Sequence, residues 1–285
     1  MGATGRQGLN NHSTGKSQMD LLHVLWAGFA NHFQFEMVFV GMGILMVYGA
    51  RQTHRVPKIL PASSRFSEPQ LTARASLQVQ GLADLGFKPV GKYDVSMSSS
   101  VQMNIDVFLS ANQLYVATIV KVRSEAEDFS FVEFHTDLAP HGNITTNNSK
   151  HASIFYYPPD KMVVKVPWRK SVMDIFDLHV ELCEAAKNHL FNPTPLKPGQ
   201  IEGLVIKGIR NSFEDQVKCG RMVKVSEDVY RASFKGALIA VPLVWHKKVY
   251  GFLYNIYRPS NKTYCTILGR RLQKARLMTE PFGAG

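Results

Sequence analysis

The chain has 285 residues, a hydrophobic content of 45% and a formal net charge of +11. Such a hydrophobic content is ordinary for a folded protein, so the composition argues against a channel or transporter that crosses the membrane many times. The length leaves room for one sizeable domain or two small ones. Much of the positive charge lies between Ile201 and Met278, where fifteen Lys or Arg residues accompany five Asp or Glu residues.

The first apolar segment of the chain follows a polar tail. Residues 1–19 are rich in Gly, Ser, Asn and Thr, a composition that predicts a flexible tail. Residues 21–50 contain no Lys, Arg or Asp, and they exceed the about 20 residues that a helix needs to cross a bilayer core. We therefore predict one transmembrane helix over residues 20–50. It is either one long tilted helix, favoured because no proline interrupts it, or an interfacial helix from Asp20 to Asn31 followed by the span.

The residues that follow this segment indicate a retained anchor and its direction. Arg51, Arg55 and Lys58 come directly after it, as in an anchor rather than a cleaved signal peptide. Two Lys or Arg residues precede the segment, and five follow it up to Arg74. The cytoplasmic flank of a membrane helix carries the excess of positive charge. We expect a single-pass protein of the inner (plasma) membrane, with the N-terminus outside and the C-terminal domain cytoplasmic.

A polar cluster interrupts the predicted anchor near its middle. Its members are Asn31, His32, Gln34 and Glu36. Ionisable groups inside a membrane usually face protein or water, and a lone helix shelters neither His32 nor Glu36. The cluster thus favours contact with integral membrane protein subunits, although a shorter span with Glu36 at headgroup level stays open. His32 is also a candidate ligand for a tetrapyrrole metal; no other residue suggests a cofactor.

The segment after the anchor is predicted to be extended and then helical. Residues 51–70 form a linker, because three prolines occur between Val56 and Pro69. A helix is predicted from Leu71 to Leu85, and Gly86 is its natural end.

The sequence Leu82-Ala-Asp-Leu-Gly-Phe-Lys-Pro-Val-Gly-Lys-Tyr93 follows at the end of that helix. Its pattern L-x-x-L-G-F-x-x-V-G-x-Y resembles the start of soluble domains in uncharacterised bacterial membrane-anchored proteins of unknown function. The resemblance covers at most the stretch from Gly81 to Gly236. It implies no activity and assigns no catalytic residue.

A period of two in the apolar residues begins at Lys88 and predicts strands. Alternation over 101–109 and 114–122, separated by the turn Ser110–Gln113, predicts a hairpin. Further strands are predicted over 129–138, up to Thr146, over 152–157 and over 162–166. We expect an antiparallel meander with one covered face.

Two helices are predicted to follow the strands. Ser171 and Asp174 form a capping pattern, and the helix that they begin has an apolar face of Val172, Ile175, Phe176, Leu182, Cys183, Ala186 and Leu190. A second helix is predicted over 200–221, and extended structure over 222–234. The expected fold class is α+β: one N-terminal transmembrane helix followed by an antiparallel-sheet domain covered by helices, with the cytoplasmic domain at residues 71–235.

Residues 236–285 form a basic aromatic tail that we expect to lie near the membrane or on a partner. Aromatic residues beside Lys and Arg are typical of interfacial segments; core strands of the same domain are the equal alternative for 236–257. Arg270, Arg271, Lys274 and Arg276 belong to a final helix, interpreted as a solvated face. The candidate contacts with a partner or an anionic lipid surface are Trp245, Lys247, Lys248, Tyr250, Tyr254, Tyr257 and Arg258.

Motifs of the common reaction chemistries are missing from the sequence. His135, His141 and His151 surround one turn, a grouping that ten histidines make unsurprising. Asp174, Asp177, His179 and Glu181 are interpreted as a solvated helix face rather than an acid–base pair. The three cysteines have no zinc or disulfide spacing and suggest buried thiols in a reducing compartment. No nucleic-acid module is present.

We therefore expect a non-catalytic accessory or scaffold subunit of a membrane protein complex, docked through its single helix and a basic cytoplasmic domain. The alternatives are a membrane-anchored enzyme or small-ligand-binding domain with a pocket between sheet and helix, and a peripheral lipid-binding module.

Overall fold

The computed structural model describes residues 53–61, 73–98, 101–124, 128–150, 157–239 and 257–279. The chain divides into two compact units, 1–50 and 51–285, and every described residue belongs to the second. The predicted transmembrane helix lies outside the described residues. Among the helices that are described, none combines the length and the apolar character required to cross a bilayer.

The second unit is an α+β fold built on a large sheet. Neighbouring strands are β2 (Lys58–Pro61), β3 (Lys88–Ser98), β4 (Val101–Leu109), β5 (Val116–Ser124), β6 (Phe129–Ala139), β7 (Asn143–Asn147) and β8 (Lys161–Lys165). All neighbouring pairs from β2 to β7 are antiparallel. The last pair, β7 with β8, is parallel, so the predicted meander is correct only as far as β7. The short strand β9 (Asn192–Pro193) pairs with β6.

Both faces of this sheet are covered, which corrects the prediction of one covered face. Ile105, Val107 and Val120, from the predicted alternation, lie in one buried cluster. The residues between them, including Phe108 and Ile119, lie in a second and larger cluster. Because successive side chains of a strand point to opposite faces, the two clusters occupy the two faces of the sheet.

Three helices cover the face with the larger cluster. They are α1 (Ala73–Asp84), α2 (Val172–Lys187) and the C-terminal helix α5 (Asn261–Thr279). Helix α2 begins as predicted, because the Ser171 side chain accepts a hydrogen bond from the Asp174 backbone N–H. It ends at Lys187, before Leu190, so Leu190 is not part of its apolar face and is 63% exposed.

The segment from Leu82 to Tyr93 joins α1 to β3, and its sequence pattern is explained by packing. Leu82 and Phe87 are buried in the larger cluster. Gly86 has φ +77, a conformation that favours glycine and ends the helix. Tyr93 is buried on the other face. Each apolar position of the pattern therefore contributes to one of the two cores.

Helix α3 (Ile201–Lys218) connects the large sheet to a second, three-stranded sheet. Ile201, at its start, packs in the cluster on the far face of the large sheet. Phe213, nearer its end, packs with Met222 and Tyr230 of the small sheet. The small sheet has the order β1 (Thr53–Arg55), β11 (Val229–Ala232), β10 (Met222–Ser226). Part of the predicted linker is thus paired as β1 and β2. The helix predicted over 200–221 is present as α3, and the extended segment predicted over 222–234 is present as β10 and β11, which end at Ala232.

The C-terminal helix α5 belongs to the main core. Its residues Tyr264, Leu268, Leu272 and Ala275 are buried in the larger cluster, where α5 packs on α2. Arg271 Nη2 donates hydrogen bonds to the carbonyl oxygens of Tyr157, Pro158 and Lys161, at 3.1, 2.8 and 2.7 Å. Arg270 and Lys274 are exposed on its outer side. Only this outer side is the solvated basic face that the sequence predicted.

Candidate functional site

Apolar side chains are exposed around the start of the basic aromatic tail, residues 236–285. Helix α4 begins after Ser233, and residues 234–239 are its described part. Ser233 Oγ accepts a hydrogen bond from the Gly236 N–H at 2.9 Å and donates one to the Gly220 carbonyl at 2.7 Å. Phe234 and Leu238 are 64% and 56% exposed. Residues four apart share one face of a helix, so this helix presents an apolar face to solvent.

The first turn of this helix is pressed against the small sheet. A Cβ atom added to Gly236 would lie 1.9 Å from the Arg221 carbonyl oxygen, a distance that no larger residue tolerates. Ala237 is fully buried. The fixed position of Gly236 and Ala237 holds the side chains of Phe234 and Leu238 outward.

Exposed residues are also found further along the basic aromatic tail, just before α5. Tyr257 is 86% exposed, and Arg258, also exposed, has φ +41. Ser260 then caps α5, since its Oγ accepts a hydrogen bond from the Thr263 N–H. Tyr257 and Arg258 are the predicted contact residues that the structure describes, and both are accessible. The other predicted contacts lie outside the described residues: Asn31, His32, Gln34, Glu36, Trp245, Lys247, Lys248, Tyr250 and Tyr254.

Ion pairs neutralise several of the acidic residues in the basic region between Ile201 and Met278. Arg210 binds Asp228 at 2.8 Å, and Lys161 binds Asp215. Glu214 accepts hydrogen bonds from the Tyr230 hydroxyl at 2.6 Å and from Lys224 at 3.2 Å. These two bonds lower the pKa of Glu214. Lys235, Arg258, Lys262, Arg270 and Lys274 remain exposed, so this part of the unit has a basic surface.

His179 is buried in the core, which corrects its interpretation as part of a solvated helix face. It is 0% exposed. Its Nε2 lies 2.9 Å from Thr136 Oγ1, and its Nδ1 lies 3.0 Å from Thr146 Oγ1. The Thr136 hydroxyl donates a hydrogen bond to the Leu114 carbonyl. We therefore assign the tautomer in which Nε2–H donates a hydrogen bond to Thr136 Oγ1 and Nδ1 accepts one from the Thr146 hydroxyl. Burial, with a smaller effect of His135, lowers the pKa of His179 to about 3.

A buried ion pair lies on the same face of the sheet. Lys121 Nζ is 2.6 Å from Asp106 Oδ2, and each side chain is 8% exposed. The Asn104 side chain also accepts a hydrogen bond from Lys121 at 3.3 Å. Both charges are therefore compensated locally, as buried charges must be.

The other histidines and the cysteines do not form a metal site in the described part of the chain. No group of three His, Cys, Asp or Glu residues there has the geometry to hold a metal ion. His135 bonds Thr145 and Asp137, while His141 packs edge-on against Phe191; His151 lies outside the described residues. Cys183 is buried, whereas Cys219 and Cys265 are only partly buried. Burial raises the pKa of Cys183 to about 12, so this thiol is an inert core residue.

Side chains fill the space between α2 and the sheet. Phe134, Ile175, Leu178 and Leu182 are each 0% exposed there, and Phe176 contacts the rings of Phe87, Tyr115 and Phe134. The described cleft lies elsewhere, between α1 and the first turn of α2. The sequence did not single out this cleft.

Comparisons with protein-family models, with curated proteins and with solved structures found no significant match for this chain. The resemblance at Leu82–Tyr93 therefore stays a prediction.

Proposed function

We propose that this protein is a non-catalytic accessory or scaffold subunit of a membrane protein complex. It docks through its apolar segment 21–50 and through a basic aromatic surface that includes Phe234, Leu238, Tyr257 and Arg258. The observation that carries the proposal is the exposed apolar helix face of Phe234 and Leu238, held outward by Gly236 and Ala237. An exposed apolar face beside exposed cations is what a partner or membrane-contact surface presents.

The charge of this region supports the same function. Lys235 next to Phe234, and Arg258 next to Tyr257, are all exposed. A basic surface attracts anionic headgroups or an acidic partner, with about 1 kcal/mol for each Lys or Arg near an anionic membrane. The polar residues His32 and Glu36 in the apolar segment support a partner within the membrane, because a partner helix would shelter them.

Site-specific photocrosslinking in native membranes tests the docking surface. A photoreactive amino acid replaces Phe234, Leu238 or Gln34 in the full-length chain, and replaces Leu190 as the control. Leu190 is a suitable control because its exposure, 63%, is similar to that of Phe234 and Leu238, while it lies just after α2 and outside the proposed surface. We expect discrete adducts with an integral membrane protein from the first three positions and none from Leu190.

Purification completes the test. In a mild non-ionic detergent the tagged wild-type chain should co-purify with the crosslinked subunit, and Phe234→Ser with Leu238→Ser should weaken this association without lowering the melting temperature. A monodisperse monomer without a membrane protein partner, together with no specific adducts, would refute the proposal.

A further inference from the structure

A cleft of about 580 Å³ lies between helix α1 and the first turn of α2. Its volume is within the range of small-molecule sites. Helix α1 and helix α2 meet closely at its floor, where Gly81 faces Val172. The described residues that line it are Leu77, Gln78, Gly81, Asp84, Lys170, Ser171, Val172 and Met173.

Gln78 is the unusual residue of this cleft. It lies on the core-facing side of α1, with Ala75 and Leu82 as its neighbours on that side, and is only 2% exposed. Within the described part of the chain, neither its Oε1 nor its Nε2 has a hydrogen-bond partner. A buried polar group left in this state lowers the stability of the fold. A ligand that bonds the amide of Gln78 would remove this cost.

The first turn of α2 supplies further donors to the same cleft. The Ser171 side chain accepts a hydrogen bond from the N–H of Asp174. The backbone N–H groups of Val172 and Met173, the first two of the helix, have no acceptor within the helix. The N-terminus of a helix carries about half a positive charge and binds anions through such groups. Lys170 adds an exposed positive charge beside them.

The rim of the cleft is apolar on both sides. Leu77 of α1 is 72% exposed, and Met173 of α2 is 53% exposed. A ligand bound at the α2 N-terminus therefore has an apolar surface available for an alkyl chain. Asp84, the acid of the cleft, follows Gln78 by six positions, about 9 Å along the helix axis, and it accepts a hydrogen bond from Gln80.

We infer that this cleft binds an anionic amphiphile, with its carboxylate or phosphate headgroup on Gln78 and the first turn of α2, and its alkyl chain across Leu77 and Met173. The site goes beyond the proposed docking function and does not depend on it. The headgroup accepts hydrogen bonds from the N–H groups of Val172 and Met173, and the alkyl chain covers the exposed apolar rim.

Methyl NMR of the full-length chain in a neutral detergent tests this inference. The methionine methyl groups are labelled, and Met173→Leu identifies the Met173 signal. Octanoate and octyl phosphate are the probes, with acetate and inorganic phosphate as their counterparts without a chain. We expect a saturable shift of the Met173 signal with at least one of the two octyl probes, and binding at least about tenfold weaker with acetate and phosphate.

Variants separate the cleft from uptake by the detergent micelle. Gln78→Leu should weaken binding by about tenfold or more while keeping or raising the melting temperature, because it removes an unpaired buried amide. Lys170→Gln should also weaken binding, and Lys197→Gln, an exposed lysine outside the cleft lining, should not. No saturable shift, or unchanged binding in both Gln78→Leu and Lys170→Gln, would overturn the inference. Equal binding of acetate and octanoate would overturn the assignment of an amphiphile.

Discussion

Gly81 of α1 and Val172 of α2 meet where the two helices cross: a Cβ atom on Gly81 would lie 3.1 Å from Cβ and from Cγ2 of Val172. Two effects oppose each other at this contact. Alanine is favoured over glycine within a helix by about 1 kcal/mol, whereas the new methyl group would be crowded by Val172. The side chain of Val172 therefore decides the sign of a Gly81→Ala substitution.

A double-mutant cycle measures this contact. In the wild-type background we expect Gly81→Ala to leave the free energy of unfolding unchanged or to lower it. In a Val172→Ala background, where the crowding is relieved, the same substitution should raise it by up to about 1 kcal/mol. Urea unfolding of the four proteins provides the numbers, and a cycle without coupling would mean that the helices do not touch here.

The neutral state of His179 predicts a pH dependence of stability. In the unfolded chain the imidazole takes up a proton below its ordinary pKa of 6.5, but in the fold its pKa is lowered to about 3. Acid therefore stabilises the unfolded chain, and the free energy of unfolding falls by up to about 1.4 kcal/mol per pH unit below pH 6.5. This loss should be absent from His179→Leu when unfolding is measured at pH 6.5 and 4.5.

Thr146→Val is the matched control for His179. It removes the hydroxyl that donates a hydrogen bond to His179 Nδ1 but keeps the buried imidazole. We expect it to cost about 1–3 kcal/mol at pH 7 and to retain the acid dependence. If His179→Leu keeps the same dependence as the wild type, the buried imidazole is not its source.

Asp106 and Lys121 should depend on each other. Removing only the carboxylate, in Asp106→Leu, leaves a buried ammonium without its partner and is expected to cost about 3–5 kcal/mol. The double variant Asp106→Leu with Lys121→Met replaces both charges by apolar groups and should be clearly more stable than the single variant. Chemical denaturation of both proteins compares their free energies of unfolding. Additive losses would mean that Asp106 and Lys121 are not energetically coupled.

Adjacent arginines of α5 should differ sharply in their importance. Arg271 bonds three carbonyl groups before and at the start of β8, whereas Arg270 is exposed. Arg271→Met removes the guanidinium that joins α5 to these three carbonyl groups and should lower the free energy of unfolding by about 2–3 kcal/mol. Arg270→Met should change it by less than about 0.5 kcal/mol. Equal effects would show that α5 is not anchored at this point.

The sequence predicted features that depend on neighbouring residues. The hairpin of β4 and β5 follows from the alternation of apolar and polar residues and from a turn in which Ser110 Oγ accepts a hydrogen bond from the Tyr115 N–H. The start of α2 follows from Ser171 and Asp174. Both are local interactions, and a single sequence contains all of the information for them.

Features that depend on distant residues could not be predicted in this way. His179 of α2 can be buried because Thr136 and Thr146, on two strands, form hydrogen bonds with both of its ring nitrogens. The covered second face had a signal that was missed: Phe108, Ala117 and Ile119 make the strands apolar on both sides, a pattern typical of strands buried on both faces. Gln78 had a weaker signal, since it stands between Ala75 and Leu82 on an apolar helix face. Only packing shows that its amide lacks a partner among the described residues.

The small sheet also has a consequence for how this protein is made. Thr53 pairs with Arg231, and among the described strands β1 pairs with β11 alone. During synthesis from the N-terminus, β1 leaves the ribosome long before β11, while the strands from β2 to β7 each meet a partner close in sequence. Contacts between distant residues form late and slowly. The large sheet can therefore assemble on the growing chain. The small sheet cannot be completed until β11, which ends at Ala232, has emerged from the ribosome.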